Sequence, residues 1–325
     1  MKAYIAGIGI YYPEKILTNF DFEKMVETSD EWIRTRSGIR ERHIVDEKTA
    51  TSDLATVAAK RAIENAGIRP EDIDAIILGT ATPDMLFPST ACIVQSNIGA
   101  REIMAFDISA GCSGFLYGLG IADSMIRNGY DNILVIGAET LSKITDYKDR
   151  STCVLFGDGA GAVILKKAND ENRGIISSYF ASEGADWKLL HQPAGGSRIP
   201  ASEKSVKERL HYIKMEGNEV FKLAVRAMIE AATKTLEKVN LSSKDVALLI
   251  PHQANIRIIE ATAKRLDIPA DKVYVNLDKY GNTSAASIPI ALAEALHNGK
   301  VKPGDYVLLV AFGAGFTWAG VLLRM

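Results

Sequence analysis

Asp107-Ile108-Ser109-Ala110-Gly111-Cys112-Ser113-Gly114-Phe115 is the stretch from which the fold of this chain can be read. Met104 to Ile108 is a short apolar run of strand character, and the Ala-Gly pair makes a tight turn. Cys112 opens a helix predicted to reach about Asn128, with Gly129 as its C-terminal cap. A thiol at the first turn of a helix faces unpaired backbone N–H groups and the positive end of the helix dipole, and both favour thiolate over thiol. The helix is costly, because Gly114, Gly118 and Gly120 each lose about 1 kcal/mol relative to alanine in a helix interior. Gly114 and Gly118 share one face, while Phe115, Leu116, Leu119 and Ile121 make the segment apolar nearly all round. That predicts a buried helix closely approached by other backbone. A buried structural cysteine would satisfy this stretch equally well.

The chain has 325 residues, 47% hydrophobic and 24% charged, with a net charge of -2. This suits a soluble enzyme of two domains or one large duplicated one. Neither a basic excess for nucleic acid nor an apolar run near the roughly 18 residues of a membrane span is present. The opening Met1-Lys2-Ala3-Tyr4-Ile5-Ala6-Gly7-Ile8 reads as a first strand without a secretory signal, so a cytoplasmic protein is expected. Cys92, Cys112 and Cys153 lack disulfide or metal spacing; they are expected as reduced thiols, with no metal site.

Working outward, the polar segment Thr28 to Arg42 holds four arginines and Trp32. Such a run is most often a solvated face; the alternative is an entrance lined for phosphates, with Trp32 as a stacking surface. Asp53 to Asn65 has helical spacing, Ala75 to Leu78 is a buried strand, and Ser89 to Ile98 looks helical. Between them, the loop Thr80 to Pro88 exposes Met85, Leu86 and Phe87, which points to a subunit contact. Gly157-Asp158-Gly159-Ala160-Gly161 enters a strand rather than a helix, the wrong context for a dinucleotide fingerprint, so nicotinamide and flavin roles are rejected. Ala168 to His211 reads as connection and surface loop.

The order then repeats. Helix Val220 to Val239, strand Val246 to Ile250, helix Ile256 to Leu266, strand Val273 to Asn276 and helix Ser287 to His297 follow, then strands Tyr306 to Ala311 and Trp318 to Leu323. Ala66-Gly67-Ile68-Arg69-Pro70-Glu71-Asp72-Ile73 is matched by Val239-Asn240-Leu241-Ser242-Ser243-Lys244-Asp245-Val246. Two similar α/β halves about a pseudo-twofold axis are expected, residues 1–170 carrying the nucleophile and 171–325 its partners. By this register Cys112 corresponds to the turn Gly281-Asn282-Thr283-Ser284, and the strand ending at Gly79 corresponds to one ending at Pro251-His252-Gln253-Ala254-Asn255. Cys112, His252 and Asn282 thus converge at strand and helix ends, where active sites of α/β sheets lie.

Taken singly, His252 could be a satisfied core histidine and Asn282 a turn residue. Cysteine proteases also combine Cys, His and Asn, but there His and Asn touch each other. The duplicated layout suggests instead that both aim independently at one carbonyl oxygen, as the enolate from a decarboxylating malonyl thioester requires. The bend Phe312-Gly313-Ala314-Gly315-Phe316 could bring a second backbone N–H beside that of Cys112 as an oxyanion hole.

Five separated motifs carry a resemblance. They are Thr28-Ser29-Asp30-Glu31-Trp32-Ile33, Ala110-Gly111-Cys112-Ser113-Gly114-Phe115, Phe156-Gly157-Asp158-Gly159-Ala160-Gly161, Pro251-His252-Gln253-Ala254-Asn255 and Tyr280-Gly281-Asn282-Thr283-Ser284-Ala285-Ala286-Ser287-Ile288-Pro289. With them the chain resembles the 3-oxoacyl-acyl carrier protein synthase III family of the thiolase-like superfamily, from Ile5 to its C-terminus. The resemblance implies a thiolase-like fold of layered α-β-α-β-α type and an acyltransferase that needs no cofactor. Its substrates would be acyl-CoA and malonyl-acyl carrier protein, joined by a decarboxylating Claisen condensation through an acyl-Cys112 intermediate that starts fatty acid synthesis. His252 and Asn282 would stabilise the enolate, and the Cys112 and Ala314 N–H groups would form the oxyanion hole. It further implies that Thr28, Trp32, Arg36 and Arg150 hold the nucleotide end of coenzyme A, with Gly217, Phe221, Ala254 and Asn255 along the pantetheine tunnel. Leu141, Phe156 and Phe312 would lie near the acyl chain, and Phe87 would close the acyl pocket of the partner in a homodimer. Lys222 and Arg257 would meet the acidic carrier protein. Ala314 stands where many relatives have glycine, and a compatible backbone is expected there. Two other readings stay open: an acyltransferase or polyketide starter synthase with the same triad, and a non-catalytic partner subunit, which the intact Cys112 disfavours.

Overall fold

The computed structural model describes residues 2–170 and 172–325. Its first sheet contains β1 (Ala3–Tyr11), β2 (Ala75–Gly79), β3 (Met104–Ile108), β4 (Asn132–Thr140) and β5 (Asp158–Lys167), in spatial order β1-β5-β4-β2-β3. The second contains β6 (Gly174–Ser182), β7 (Leu248–Pro251), β8 (Tyr306–Gly313) and β9 (Thr317–Arg324), in order β6-β9-β8-β7. The four strands of the second sheet match β1-β5-β4-β2 of the first, and β3 has no counterpart strand. β1 with β5 and β6 with β9 are antiparallel, as are β4 with β5 and β8 with β9, while β2 with β4 and β7 with β8 are parallel. The repeat seen in the sequence is therefore a repeat of topology.

Six helices complete the layers: α1 (Thr51–Ala66), α2 (Thr90–Ile98), α3 (Gly114–Arg127), α4 (Gly217–Glu237), α5 (Ile256–Arg265) and α6 (Ser287–His297). Strand side chains alternate between faces, so each sheet offers two apolar surfaces. Ile76, Leu78, Leu134 and Ile136 of the first sheet pack on Leu54, Ala58 and Ala62 of α1 and Val94 of α2. Ile77 and Val135, from its other face, meet Phe115, Leu116 and Leu119 of α3. In the same core Ile288 and Leu292 of α6 meet Ile250, Leu309 and Val321 of the second sheet. The far face of that sheet, with Leu249, Leu308 and Val310, is covered by Val220, Ala224 and Met228 of α4 and Ile258 of α5. The result is the five-layer α-β-α-β-α arrangement, with α3 and α6 in the middle.

The glycines of α3 now have a physical reason. A Cβ on Gly79 of β2 would lie 2.5 Å from the carbonyl carbon of Gly114, and one on Gly118 would lie 2.8 Å from Val135. Helix and sheet approach more closely than side chains allow, and the dispersion contacts so gained offset the intrinsic cost.

Two expectations fail locally. The stretch read as surface loop from Ala168 to His211 contains β6, the edge strand of the second sheet, paired with β9 along its length. The predicted strand Val273 to Asn276 contracts to one parallel bridge between Val273 and Leu249. The Gln253 side chain takes over the ladder's role there: its Nε2 donates to the Tyr274 carbonyl at 3.1 Å and its Oε1 accepts the Asn276 N–H at 3.0 Å.

Candidate active site

Each half supplies one sharp turn into a middle-layer helix. Gly111–Ser113 forms a single 3₁₀ turn before α3, and Ser284–Ala286 forms one before α6. Gly111 has φ 50° and Ser284 φ 48°, the same left-handed step in both halves. By that superposition Cys112 corresponds to Ala285, slightly beyond the turn the sequence register picks. The left-handed step of Ser284, unusual for a residue with a Cβ, coincides with acceptance of its N–H by Asn282 Oδ1 at 2.9 Å.

A cavity of about 320 Å³ opens between Trp32 and Arg36 at one end and Cys112, His252, Asn282 and Phe312 at the other. His252 follows β7, and its N–H donates to Val310 of β8 at 2.8 Å. Its Nδ1 lies 2.7 Å from Ser287 Oγ, which also accepts the Gln253 N–H at 3.3 Å. With the serine hydroxyl donating to Nδ1, the ring proton sits on Nε2, the tautomer in which His252 offers a donor to the cavity. Asn282 is held by its own backbone, through N–H to Leu155 O at 2.9 Å and O from Gly157 N–H at 3.0 Å. Its Oδ1 is spent on Ser284, and its Nδ2 has no partner among the described residues. Both residues lining the cavity therefore have one end tied to the scaffold and a donor to spare, and they do not bond to each other.

Burial pulls His252 down to about 3, so the imidazole is neutral. Burial likewise pushes the Cys112 thiol up to about 12, with the Glu139 carboxylate adding to the rise and Ser284 and the cysteine's own N–H opposing it. This corrects the thiolate expected from the helix end. Removal from water is the largest cause. Glu139, wholly buried at the end of β4, was not anticipated. It accepts from Thr82 Oγ1 at 2.7 Å, Thr80 Oγ1 at 3.3 Å and the Ala81 N–H at 3.1 Å, yet burial still raises it to about 7.

The Gly313–Gly315 bend lies directly on the cysteine turn. A Cβ on Gly313 would be 2.5 Å from Cys112 N, and one on Gly111 would be 2.6 Å from Ala314 N. Thr317 Oγ1 donates to Ala110 O at 2.8 Å and Ser113 Oγ to Thr317 O at 3.2 Å, fastening turn to bend. The Cys112 and Ala314 N–H groups have no carbonyl partner among the described residues. Positive φ falls on Gly315, at 147°, and not on Ala314, so alanine fits.

Gly217, Phe221, Ala254, Asn255 and Arg257 line the same cavity, as does Phe156. Arg150 lies over the Trp32 ring at 4.8 Å. Asn255 has a further task, capping α5 by accepting the Arg257 N–H at 2.9 Å and donating to Arg36 O at 3.0 Å. Thr28 stands apart from the lining, with its hydroxyl buried and unpartnered. Leu141 packs behind Phe156 with Ile213 instead of facing the cavity. Phe87 is 83% exposed and lines no part of it within this chain. Lys222 sits outside, paired with Glu219 at 2.7 Å beside a groove formed with Arg226 and Arg265. The arginine-rich segment is only partly solvated: Trp32 and Arg36 line the cavity and Arg42 is fully buried. No cluster of three or more His, Cys, Asp or Glu among the described residues could hold a metal, and no helix there is long and apolar enough to cross a membrane.

Two stacked α/β halves, with a cysteine turn from one facing a histidine and an asparagine from the other, define a thiolase-like condensing-enzyme scaffold. The family model for 3-oxoacyl-[acyl-carrier-protein] synthase III matches residues 106–184, and the model for its C-terminal part matches residues 236–325. The chain is 61% identical to the beta-ketoacyl-[acyl-carrier-protein] synthase III of Caldanaerobacter subterraneus subsp. tengcongensis, covering 100% of this chain and 98% of that protein. The crystal structure of 3-oxoacyl-[acyl-carrier-protein] synthase III from Aquifex aeolicus is similar with a TM-score of 0.92 and 53% identity, covering 99% of this chain and 100% of that one. A priming beta-ketosynthase of the R1128 polyketide pathway is similar at 32% identity and a TM-score of 0.90, covering 99% of this chain and 96% of that one. The chain belongs to the 3-oxoacyl-[acyl-carrier-protein] synthase III family.

Proposed function

We propose that this enzyme condenses an acyl-CoA starter with malonyl-acyl carrier protein, initiating fatty acid synthesis. Cys112 sulfur attacks the acyl thioester, and the thiol proton ends on the coenzyme A sulfur as it leaves. The oxyanion of that adduct would be met by the Cys112 and Ala314 N–H groups. Malonyl-carrier then enters; its carboxylate leaves as carbon dioxide, and the bonding pair becomes an enolate whose oxygen meets His252 Nε2–H and Asn282 Nδ2–H. The enolate carbon attacks the acyl-cysteine carbonyl, expels the Cys112 sulfur and gives the 3-oxoacyl-carrier. One proton taken up restores the thiol. The chemistry calls for no cofactor beyond the two thioesters.

The observation that carries this reading is the way His252 and Asn282 are tied. Ser287 holds the Nδ1 side and the Ser284 N–H holds Oδ1, so two donors remain free toward one cavity that also holds the thiol. Trp32, Arg36 and Arg150 suit the nucleotide end of coenzyme A at the mouth, with Thr28 near them, and Gly217, Phe221, Ala254 and Asn255 the pantetheine arm. Phe156 and Phe312, backed by Leu141, suit the acyl chain, and Lys222 and Arg257 an acidic carrier. Met85, Leu86 and Phe87, 47%, 78% and 83% exposed, support a homodimer in which Phe87 reaches the partner's pocket. The halves 1–170 and 171–325 are proposed as its two units, since among the described residues no sheet draws strands from both.

Intact-protein mass after mixing with a panel of acyl-CoAs, then with malonyl-acyl carrier protein, tests the scheme. A mass gain on Cys112 that disappears with carbon dioxide release and a 3-oxoacyl-carrier product supports it and identifies the starter. A gain that persists or passes to another acceptor moves the function to plain acyl transfer. No gain with any acyl-CoA would indicate a non-catalytic partner subunit. Asn282→Ala should keep acylation and lose decarboxylation, whereas Cys112→Ser should lose acylation.

A further inference from the structure

Arg42 is fully buried, and the acceptors of its hydrogen bonds are neutral. Nε and Nη2 both donate to the Val154 carbonyl, Nε at 2.9 Å. Nη1 donates to Asn19 Oδ1 at 2.6 Å and to Arg40 O at 3.3 Å, and the guanidinium lies 4.8 Å from the Phe22 ring centroid. Burying a cation without a carboxylate partner is unfavourable. An apolar side chain could fill the volume, but only a planar fork directs two donors onto one carbonyl.

That carbonyl belongs to the segment on which Asn282 hangs. Leu155, next to Val154, accepts the Asn282 N–H at 2.9 Å; Phe156 and Asn282 form a one-residue parallel bridge; and Gly157 donates back to Asn282 O at 3.0 Å. The arginine stem supports the turn from its other side. A Cβ on Gly281 would come within 2.9 Å of Arg42 Cγ, and one on Gly157 within 3.4 Å of Arg42 Cβ. Arg42 thus grips the backbone on both flanks of the Asn282 bridge without lining the cavity.

We infer that Arg42 is a positioning residue for Asn282, fixing through the Val154 carbonyl and the Gly281 turn where the Asn282 amide meets the substrate. The inference rests on the reading of Asn282 as an enolate donor. The other end of the network runs from Asn19 Nδ2 to Asp30 Oδ1 at 2.8 Å, at the start of the helix Asp30–Ser37 that carries Trp32 and Arg36. Arg42 variants are therefore expected to raise the KM for acyl-CoA as well, so rates are compared at saturation.

The test measures two half-reactions, acyl transfer to Cys112 by intact mass and carbon dioxide release from malonyl-acyl carrier protein. It uses the wild type, Arg42→Met, Arg42→Lys, Asn282→Ala and the two double variants. A loosened Asn282 is expected to lower decarboxylation by about 100-fold in Arg42→Met and about 10-fold in Arg42→Lys, with saturated acylation kept within about twofold. Since both changes act through one amide, adding Asn282→Ala to either should cost nothing beyond Asn282→Ala alone. If the two half-reactions fall together, or the losses multiply in the double variants, Arg42 merely supports the fold and the inference is overturned. If Asn282→Ala alone leaves decarboxylation intact, the enolate assignment fails first and takes the inference with it. Should Arg42→Met not accumulate as folded protein, Arg42→Lys carries the same comparison with charge and most of the volume kept.

Discussion

Replacing Glu139 by glutamine should stabilise the protein above neutral pH and leave its acid stability little changed. The carboxyl is enclosed completely, and burial raises it from an ordinary 4.5 to about 7. A carboxylic acid raised in the folded state favours folding in its neutral form. That contribution is full below pH 4.5, fades as the pH climbs through about 7, and is gone above it. The rise corresponds to on the order of 3 kcal/mol, at 1.36 kcal/mol for each tenfold in proton affinity. Unfolding entropy near 2.1 cal/mol/K per residue gives about 0.7 kcal/mol/K for a chain of this length, so the stabilisation is worth about 5 °C in Tm. Glutamine keeps an oxygen for the Thr82, Thr80 and Ala81 donors, and any fixed repacking offset does not vary with pH. Calorimetry of both proteins at equal concentration from pH 5 to 8.5 should show the Tm difference growing toward pH 7 and then levelling. A difference that stays constant across that range would refute the raised carboxyl.

Two further changes probe the site and its scaffold. Ser287→Ala removes the partner of His252 Nδ1 and should lower decarboxylation by about 10-fold with acylation retained; an unchanged carbon dioxide release would mean that packing alone orients the ring. Gly79→Ala puts a methyl 2.5 Å from the Gly114 carbonyl carbon, and overpacking of that kind costs about 1–3 kcal/mol. A Tm drop of roughly 2–4 °C is expected, and no drop would show that α3 can retreat freely from β2.

What the sequence made legible was whatever repeats or sits beside a motif. The matching runs before Ala75 and before Leu248 gave the register of the two sheets, and helix α6 falls where its apolar spacing puts it. Strand β6 was overlooked because glycines and prolines dominate its surroundings, although Ile175, Ile176, Tyr179 and Phe180 carry β-forming character. The Val273 strand contracts for a tertiary reason that the sequence does not carry, since the Gln253 side chain replaces its ladder. The thiolate expectation weighed the helix end and had no measure of depth. Glu139 directly follows the apolar run Ile133 to Ala138 at the carboxyl end of a strand, and an acid in that place is a usable signal. Arg42 was hidden among neighbours in a segment read by charge alone, and charge does not tell which arginine turns inward.

The placement of the Cys112 and Asn282 turns at the starts of α3 and α6 has a thermodynamic consequence for binding. Their first helical turns lie in the layer enclosed by the two sheets, buried from Ser113 to Leu116 and from Ser284 to Leu292. Backbone in such a position exchanges its amide hydrogens only through openings close to global unfolding. The Cys112 and Asn282 turns are thus ordered before any ligand arrives, and association does not have to freeze them. What remains to be ordered on binding is the mouth, where Trp32 is half-buried and Arg36 exposed.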